Sequence, residues 1–114
     1  MNLEPQHWII EEDIIRELRK LIRQSQFILG SSVEQFESDF ARFTGSRFAV
    51  GVSNGTDALS LALLACGVQK GDRVIVPALS YIATANAVAA IGAIPDIVDI
   101  NDTTYTLDPA LVER

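Results

Sequence analysis

The chain has 114 residues, a net charge of −6 and an apolar fraction of 48%, which together predict a folded segment of about one modest domain. The acidic balance, without a cluster of Lys or Arg, argues against a nucleic-acid partner. Cys66 and His7 are the only residues of their kinds, which excludes an internal disulfide framework, a cysteine-based zinc site and a multi-histidine metal site in this sequence.

The first residues show no basic region followed by an apolar core, so they do not read as a secretory signal. No apolar run approaches the length of a membrane-spanning helix. We therefore expect a cytoplasmic protein without a membrane partner. We expect Cys66, which follows a run of apolar residues, to be a small buried residue of the core.

Two amphipathic helices are predicted before residue 46. Apolar residues recur at helical spacing over 10–22, with acidic residues at the start and basic residues toward the end, as the helix dipole favours. After a break over 24–30, a capping box at Ser31–Glu34 or Ser32–Gln35 opens a second helix. We expect one apolar stripe of this helix to pack in a core: Val33, Phe36, Phe40 and Phe43.

A strand, a polar turn and a helix start follow one another directly. Alternation with small residues over 48–52 predicts a strand covered on both faces, and Ser53-Asn54-Gly55 is turn chemistry. Thr56 or Asp57 can cap the next helix, predicted over 57–66. Free N–H groups and the helix dipole would then suit a phosphate, although an ordinary capped helix is the favoured explanation of the turn taken alone.

Further strands and helices alternate over the rest of the chain. Gly67 and Gly92 are predicted helix stops, and Ser80 is a candidate helix cap. The helix predicted over 57–66 is apolar nearly all round, so we expect it to be covered on two sides. The remaining predicted segments are a turn over 70–72, a strand over 73–76, a helix over 81–91, a connector over 93–95 and a strand over 96–100.

This alternation predicts βαβ units, a parallel sheet and right-handed crossovers. Loops that leave parallel strands emerge at one edge of the sheet, where open α/β sheets bind ligands. Here those loops are 53–56, 78–81 and 101–103. One loop can hold a phosphate while Tyr81 covers a flat heterocycle; a half-buried aromatic residue at a helix start is the alternative for Tyr81.

Asp108 and Pro109 read as the cap and first residue of another helix. Three parallel strands with apolar helices would leave a strong hydrophobic edge uncovered. We therefore expect these residues to be the front part of a larger domain.

Ordered motifs run along most of the chain. They occupy 27–30, Val33, 36–37, 53–59, 67–68, 71–72, 74–78, 81–87, 92–95, 98–99, Tyr105 and 107–109. Together they closely resemble the N-terminal portion of the DegT/DnrJ/StrS sugar aminotransferases. The resemblance covers residues 26–113, whereas the first 25 residues match less distinctly.

The resemblance implies an α/β fold: part of the large domain of the aspartate aminotransferase-like, fold type I enzymes. Residues 1–46 would form an N-terminal helical segment, and residues 47–114 the first βαβαβ part of that domain. Such enzymes use pyridoxal 5'-phosphate (PLP) and a lysine Schiff base to move an amino group, usually from glutamate, to a nucleotide-linked keto-sugar. They are homodimers whose active sites take residues from both subunits.

By the same resemblance, Gly55 and Thr56 would bind the cofactor phosphate and Tyr81 would stack on the pyridine ring. Helix capping and packing explain three further near-site candidates equally well: Asp57, Ser80 and Asn86.

The catalytic lysine and the acidic partner of the pyridine nitrogen are expected beyond the equivalent of residue 114. Lys20 and Lys70, the only lysines, lie on a helix face and in a turn before a strand, so we expect the 114-residue chain alone to be inactive. Two alternatives stay open: a non-catalytic module that binds a phosphorylated ligand, and a dehydratase-like relative that lacks the usual lysine.

Overall fold

The computed structural model describes residues 2–113, which contain five helices and two strands. In chain order these are α1 (Glu4–Gln24), α2 (Ser31–Thr44), α3 (Gly55–Ala65), β1 (Arg73–Pro77), α4 (Ala83–Ala90), β2 (Ile94–Val98) and α5 (Pro109–Val112). The chain divides into two compact units, Met1–Gly51 and Val52–Arg114. Helices α1 and α2 belong to the first unit, and the other elements belong to the second.

Helix α1 confirms the first predicted helix but begins earlier, at Glu4. A proline in its first turn is tolerated because the N–H groups there have no partner within the helix. Its C-cap, Ser25, adopts left-handed backbone geometry with φ 53°. Among the described residues, no helix is long and apolar enough to cross a membrane.

Helix α2 starts at Ser31, one or two residues earlier than a cap at Ser31 or Ser32 would place it, and without the predicted capping box. Its N-cap is Gly30, with φ 102°, and no side chain caps the helix, because Ser31 already lies inside the first turn. The phenylalanine stripe is also not a core: Phe36, Phe40 and Phe43 are 58%, 46% and 86% exposed. Neighbouring rings of the stripe contact each other, with centroids 5.6 and 6.3 Å apart, but no second apolar layer of the first unit covers them.

The strand predicted over 48–52 is not formed among the described residues, so that prediction is wrong here. A strand needs a neighbour to pair its N–H and C=O groups, and the two strands present, β1 and β2, pair with each other. The Gly51 N–H donates instead to the Glu37 carboxylate, at 2.7 Å. Phe48 and Val50 are each 79% exposed.

Strands β1 and β2 are parallel, as predicted, with a register that runs from Arg73 opposite Ile94 to Pro77 opposite Val98. Strand β2 begins two residues before its predicted start, so most of the predicted connector over 93–95 is strand. Pro95 is tolerated there because an edge strand leaves one row of N–H groups unpaired. The resulting sheet has two strands rather than the three predicted.

The core of the second unit lies where α4 packs on the sheet. Val76, Val88 and Ala93 are buried, and they contact half-buried apolar residues of α3 and its flanking turn. Helix α3 itself has no buried residue, because α4 and two strands cannot cover it on both sides. The expectation that Cys66 is buried is wrong for the same reason, since Cys66 is exposed.

Glycines end helices as predicted: Gly67 and Gly92 have φ angles of 87° and 79°. The Asp108 carboxylate accepts a hydrogen bond from the Ala110 N–H at 2.9 Å, so the predicted cap of α5 is confirmed. The predicted uncovered apolar surface is also present. It includes Leu59, Leu61, Ile75, Leu79 and Ile97, all more than 40% exposed.

Candidate functional site

A network of hydrogen bonds shapes the turn before α3. Asn54 is the N-cap: its side-chain Oδ1 accepts from the Asp57 N–H at 2.9 Å, and its Nδ2 donates to Asp57 Oδ2 at 2.9 Å. The Ser53 hydroxyl donates to the same carboxylate oxygen. The prediction that Thr56 or Asp57 caps the helix is wrong, because Asn54 has the extended backbone from which a cap side chain reaches the third helical N–H.

This arrangement leaves hydrogen-bond donors unused at the start of α3. The N–H groups of Gly55 and Thr56 have no acceptor among the described residues, whereas the next two N–H groups bond to Asn54. A Cβ atom placed on Gly55 would meet no atom within 4 Å, so the surroundings of this residue are open. The positive end of the helix dipole adds to the attraction for an anion.

An open groove of about 310 Å³ lies beside this turn. It is lined by Val52, Ser53, Asp57, Ser60 and Leu61. The groove therefore combines apolar and polar side chains, which is the usual composition of a small-molecule site.

The loop after β1 presents an aromatic ring. Tyr81 is 80% exposed, so the alternative of a half-buried aromatic at the helix start is wrong. Ser80 does not cap α4; the N-cap is Ile82, which forms no side-chain cap bond. The Ser80 hydroxyl lies 2.7 Å from the Thr84 hydroxyl, a contact that ties the loop to the first turn of α4.

Asn86 lies one turn further along α4 and is exposed. Its backbone N–H donates to Ile82 O at 3.0 Å. The structure brings α3 and α4 together through a hydrogen bond of 3.1 Å from the Ser60 hydroxyl to Ala87 O. The candidates Gly55, Thr56 and Asp57 thus belong to one helix, and Ser80, Tyr81 and Asn86 belong to the loop and helix packed beside it.

The loop after β2 emerges at the same edge of the sheet as the loop that holds Tyr81, because β1 and β2 are parallel. Asn101 organises this loop: its Oδ1 accepts from the backbone N–H groups of Thr103 and Thr104, at 3.0 and 3.1 Å. Tyr105, with φ 58°, is 69% exposed. No strand precedes the turn over 53–56 among the described residues, so the parallel strands do not place this turn at the same edge of the sheet.

Ser53 and Asn54 were predicted only as turn residues and were not among the predicted site residues. Their side chains hold the geometry of the turn, as the contacts with Asp57 show. The signal that could have identified Asn54 is the strong preference of Asn for N-caps, together with an acidic residue three positions later.

Lys70, the lysine of the second unit, does not lie at this site. Lys70 precedes β1, whereas Tyr81 follows it, and the first and last Cα atoms of a five-residue strand are about 13 Å apart. In the first unit, Lys20 Nζ contacts Glu17 Oε1 at 2.8 Å, and this hydrogen bond lowers the pKa of the Glu17 carboxyl group. The described residues also contain no group of three or more acidic, His or Cys side chains that could hold a metal ion.

A family model for the DegT/DnrJ/EryC1/StrS aminotransferase family matches residues 8–114. The chain belongs to this family. One relative, the UDP-2-acetamido-2-deoxy-3-oxo-D-glucuronate aminotransferase of Pseudomonas aeruginosa, is 42% identical over 113 residues, which are 99% of this chain and 32% of the relative. Another, the 3-oxo-glucose-6-phosphate:glutamate aminotransferase of Bacillus subtilis, is 42% identical over 103 residues, which are 90% of this chain and 23% of the relative.

Solved structures of similar proteins agree with the family assignment. Streptomyces venezuelae DesV in complex with a ketimine intermediate has a TM-score of 0.90 and 38% identity, over 98% of this chain and 30% of that one. NtdA of Bacillus subtilis with bound cofactor PMP has a TM-score of 0.85 and 42% identity, over 90% and 23%. A GDP-4-keto-6-deoxymannose-3-dehydratase with a trapped PLP-glutamate geminal diamine has a TM-score of 0.74 and 32% identity, over 82% and 26%.

The predicted family and fold class are therefore confirmed: the chain is an α/β part of the PLP-dependent transferase fold, with parallel strands. It spans a third or less of the length of these relatives.

Proposed function

We propose that the whole protein is a PLP-dependent aminotransferase that transfers an amino group from glutamate to a nucleotide-linked keto-sugar. The observation that carries the proposal is the pair of unused N–H donors at Gly55 and Thr56, in a chain that belongs to this aminotransferase family. Relatives named as acting on a UDP-linked oxo-sugar and as using glutamate support the choice of acceptor and donor.

The residues present fit the phosphate group of PLP. That phosphate is an anion with several acceptor oxygens, and the turn offers two backbone N–H groups, the helix dipole and the Thr56 hydroxyl, which has no partner among the described residues. The open surroundings of Gly55 allow a phosphate to approach the backbone closely.

When bound, PLP supplies the electron sink for amino-group transfer. Gly55 and Thr56 would hold its phosphate and so fix the position of the cofactor. The exposed ring of Tyr81 would lie against the flat pyridine ring. Ser80, Asn86 and Asp57 are proposed as neighbours of the cofactor site.

The proposal extends to the whole protein in four further respects: a homodimer with shared active sites, the absence of nucleic-acid and membrane partners, a cytoplasmic location, and the domain organisation described above, with residues 1–46 before the large domain. The 114-residue chain alone is proposed to be inactive, because Lys20 lies on an exposed face of α1 and Lys70 lies at the far end of β1 from Tyr81.

The test is transaminase turnover by the purified whole protein with glutamate and a set of UDP- and dTDP-linked keto-sugars, compared with the 114-residue chain. We expect 2-oxoglutarate and an amino-sugar from the whole protein and neither product from the chain alone. Failure of the whole protein to bind PLP would refute the proposal. Turnover by the 114-residue chain would refute the claim that it is inactive.

The dehydratase reading is the second candidate, since a GDP-4-keto-6-deoxymannose-3-dehydratase has a similar fold. Analysis of the sugar product separates the two: an aminotransferase adds nitrogen, whereas a dehydratase removes water. A protein that binds PLP or inorganic phosphate but releases neither product would instead support the non-catalytic binding module.

A further inference from the structure

We propose that Asp57 is a positioning residue for the cofactor phosphate, one that holds the Ser53–Thr56 turn in the shape that leaves two N–H donors free. The inference rests on the function proposed above and adds a role for a side chain that does not itself bind the phosphate. It is carried by the hydrogen bonds of the turn.

A closed pair of hydrogen bonds joins Asn54 and Asp57. Asn54 Oδ1 accepts from the Asp57 N–H, and Asn54 Nδ2 donates to Asp57 Oδ2, both at 2.9 Å. The second bond determines which way the amide of Asn54 faces, because the Nδ2 group must point toward the carboxylate. With the amide in that orientation, Oδ1 caps the third N–H of α3 and leaves the first two for a ligand.

The same carboxylate oxygen also accepts from the Ser53 hydroxyl. Asp57 thereby engages the Ser53 hydroxyl and the Asn54 amide N–H, which would otherwise compete with the backbone N–H groups for a bound anion. A phosphate at this turn is left with the backbone N–H groups of Gly55 and Thr56 and the hydroxyl of Thr56. The network therefore selects which donors the phosphate meets.

The charge of Asp57 works against phosphate binding, since two negative groups close together repel each other. Its benefit must therefore come from geometry. An asparagine at this position can offer one uncharged oxygen to both donors. Asp57→Asn therefore keeps the hydrogen bonds of the turn and removes the repulsion between the carboxylate and the phosphate. Asp57→Ala removes the acceptor altogether.

The experiment measures the dissociation constants of PLP and of pyridoxal, which lacks the phosphate, for the cofactor-free whole protein. Cofactor absorbance reports binding, and Asp57→Ala, Asp57→Asn and Asp39→Ala are compared with the unmodified protein. Asp39 is a matched control, because it is an exposed helical aspartate that also accepts two side-chain hydrogen bonds.

We expect Asp57→Ala to weaken PLP binding about tenfold, because the turn loses the acceptor that orients Asn54 and Ser53, and to leave pyridoxal binding unchanged. Asp57→Asn should bind PLP at least as tightly as the unmodified protein, and Asp39→Ala should match it. Ser53→Ala removes only one donor to the carboxylate. Like Asp57→Ala, it should lower the preference for PLP over pyridoxal. It also tests the network if Asp57→Ala does not fold.

Equal losses for PLP and pyridoxal in Asp57→Ala would show a general structural role and overturn the inference. Three other results would also overturn it. They are unchanged PLP affinity in Asp57→Ala, an unchanged preference for PLP over pyridoxal in Ser53→Ala, and a loss of PLP affinity in Asp57→Asn as large as that in Asp57→Ala. An unmodified protein that binds no PLP would overturn the proposed function and this inference together, whereas the other outcomes leave the proposed function standing.

Discussion

Replacement of Gly92 by alanine tests the packing that ends α4 and begins β2. Gly92 has φ 79°, and its N–H and C=O both bond within this corner: the N–H to Ala89 O at 2.9 Å, and the C=O to the Gly71 N–H at 3.0 Å. An added Cβ would lie 3.0 Å from Lys70 Cγ and 3.4 Å from Lys70 Cβ. The substitution therefore combines backbone strain with a steric contact.

The two contributions can be estimated separately. An L-residue in left-handed geometry costs about 1–2 kcal/mol, and displacing the Lys70 side chain from the contact costs up to about a further 1 kcal/mol. Gly67→Ala is the matched control, because Gly67 has φ 87° but a Cβ there would meet nothing within 4 Å. We expect Gly92→Ala to lower the free energy of unfolding by about 2–3 kcal/mol, against about 1–2 kcal/mol for Gly67→Ala.

Urea denaturation of the whole protein, followed by far-ultraviolet circular dichroism, measures both values if the slope m is unchanged. Lys70→Ala in the Gly92→Ala background should recover about 1 kcal/mol, since it removes the Cγ atom. If Gly67→Ala is as destabilising as Gly92→Ala, or if Lys70→Ala recovers nothing, the contact between residues 70 and 92 does not limit this corner and the reasoning is refuted.

Three further predictions concern the aromatic ring, a surface ion pair and the core. Tyr81→Ala should weaken PLP binding about tenfold, by loss of ring stacking, whereas Tyr81→Phe should keep it; equal affinities of all three proteins in an absorbance titration would contradict the stacking role. The hydrogen bond from Lys20 lowers the pKa of the Glu17 carboxyl group. The small contribution of this ion pair to folding stability should therefore be present above pH 4.5 and decline as the pH falls through the lowered pKa. Lys20→Ala should raise that pKa in a carbon-13 NMR titration; an unchanged pKa would remove the assigned cause. Val88→Ala, at a side chain only 2% exposed, should cost about 2 kcal/mol in urea denaturation, and a cost near zero would show that α4 does not anchor the core.

The local features of the fold were largely predictable. Periodicity predicted α1 and α2, and left-handed glycines ended α3 and α4 at Gly67 and Gly92 as expected. The cap at Asp108 was also predicted, because Asp followed by Pro is a local signal that does not depend on distant contacts.

The errors share a different cause. Burial of Phe36, Phe43 and Cys66 was inferred from apolar patterning, which shows that a face is suited to packing but not whether another layer covers it. The strand predicted over 48–52 failed for a related reason, since strand propensity does not supply the neighbouring strand that must pair with it.

For the candidate site, the sequence by itself determined the chemistry available: a Ser-Asn-Gly-Thr turn before an apolar helix, an aromatic residue after a strand, and the motifs of an aminotransferase family. The folded structure decided between the candidate caps: Asn54 caps the helix, Asp57 accepts from Ser53 and Asn54, and Gly55 and Thr56 keep unused donors. The physical reason is that residue types set which hydrogen bonds can form, whereas the backbone angles of the folded turn determine which donor reaches which acceptor.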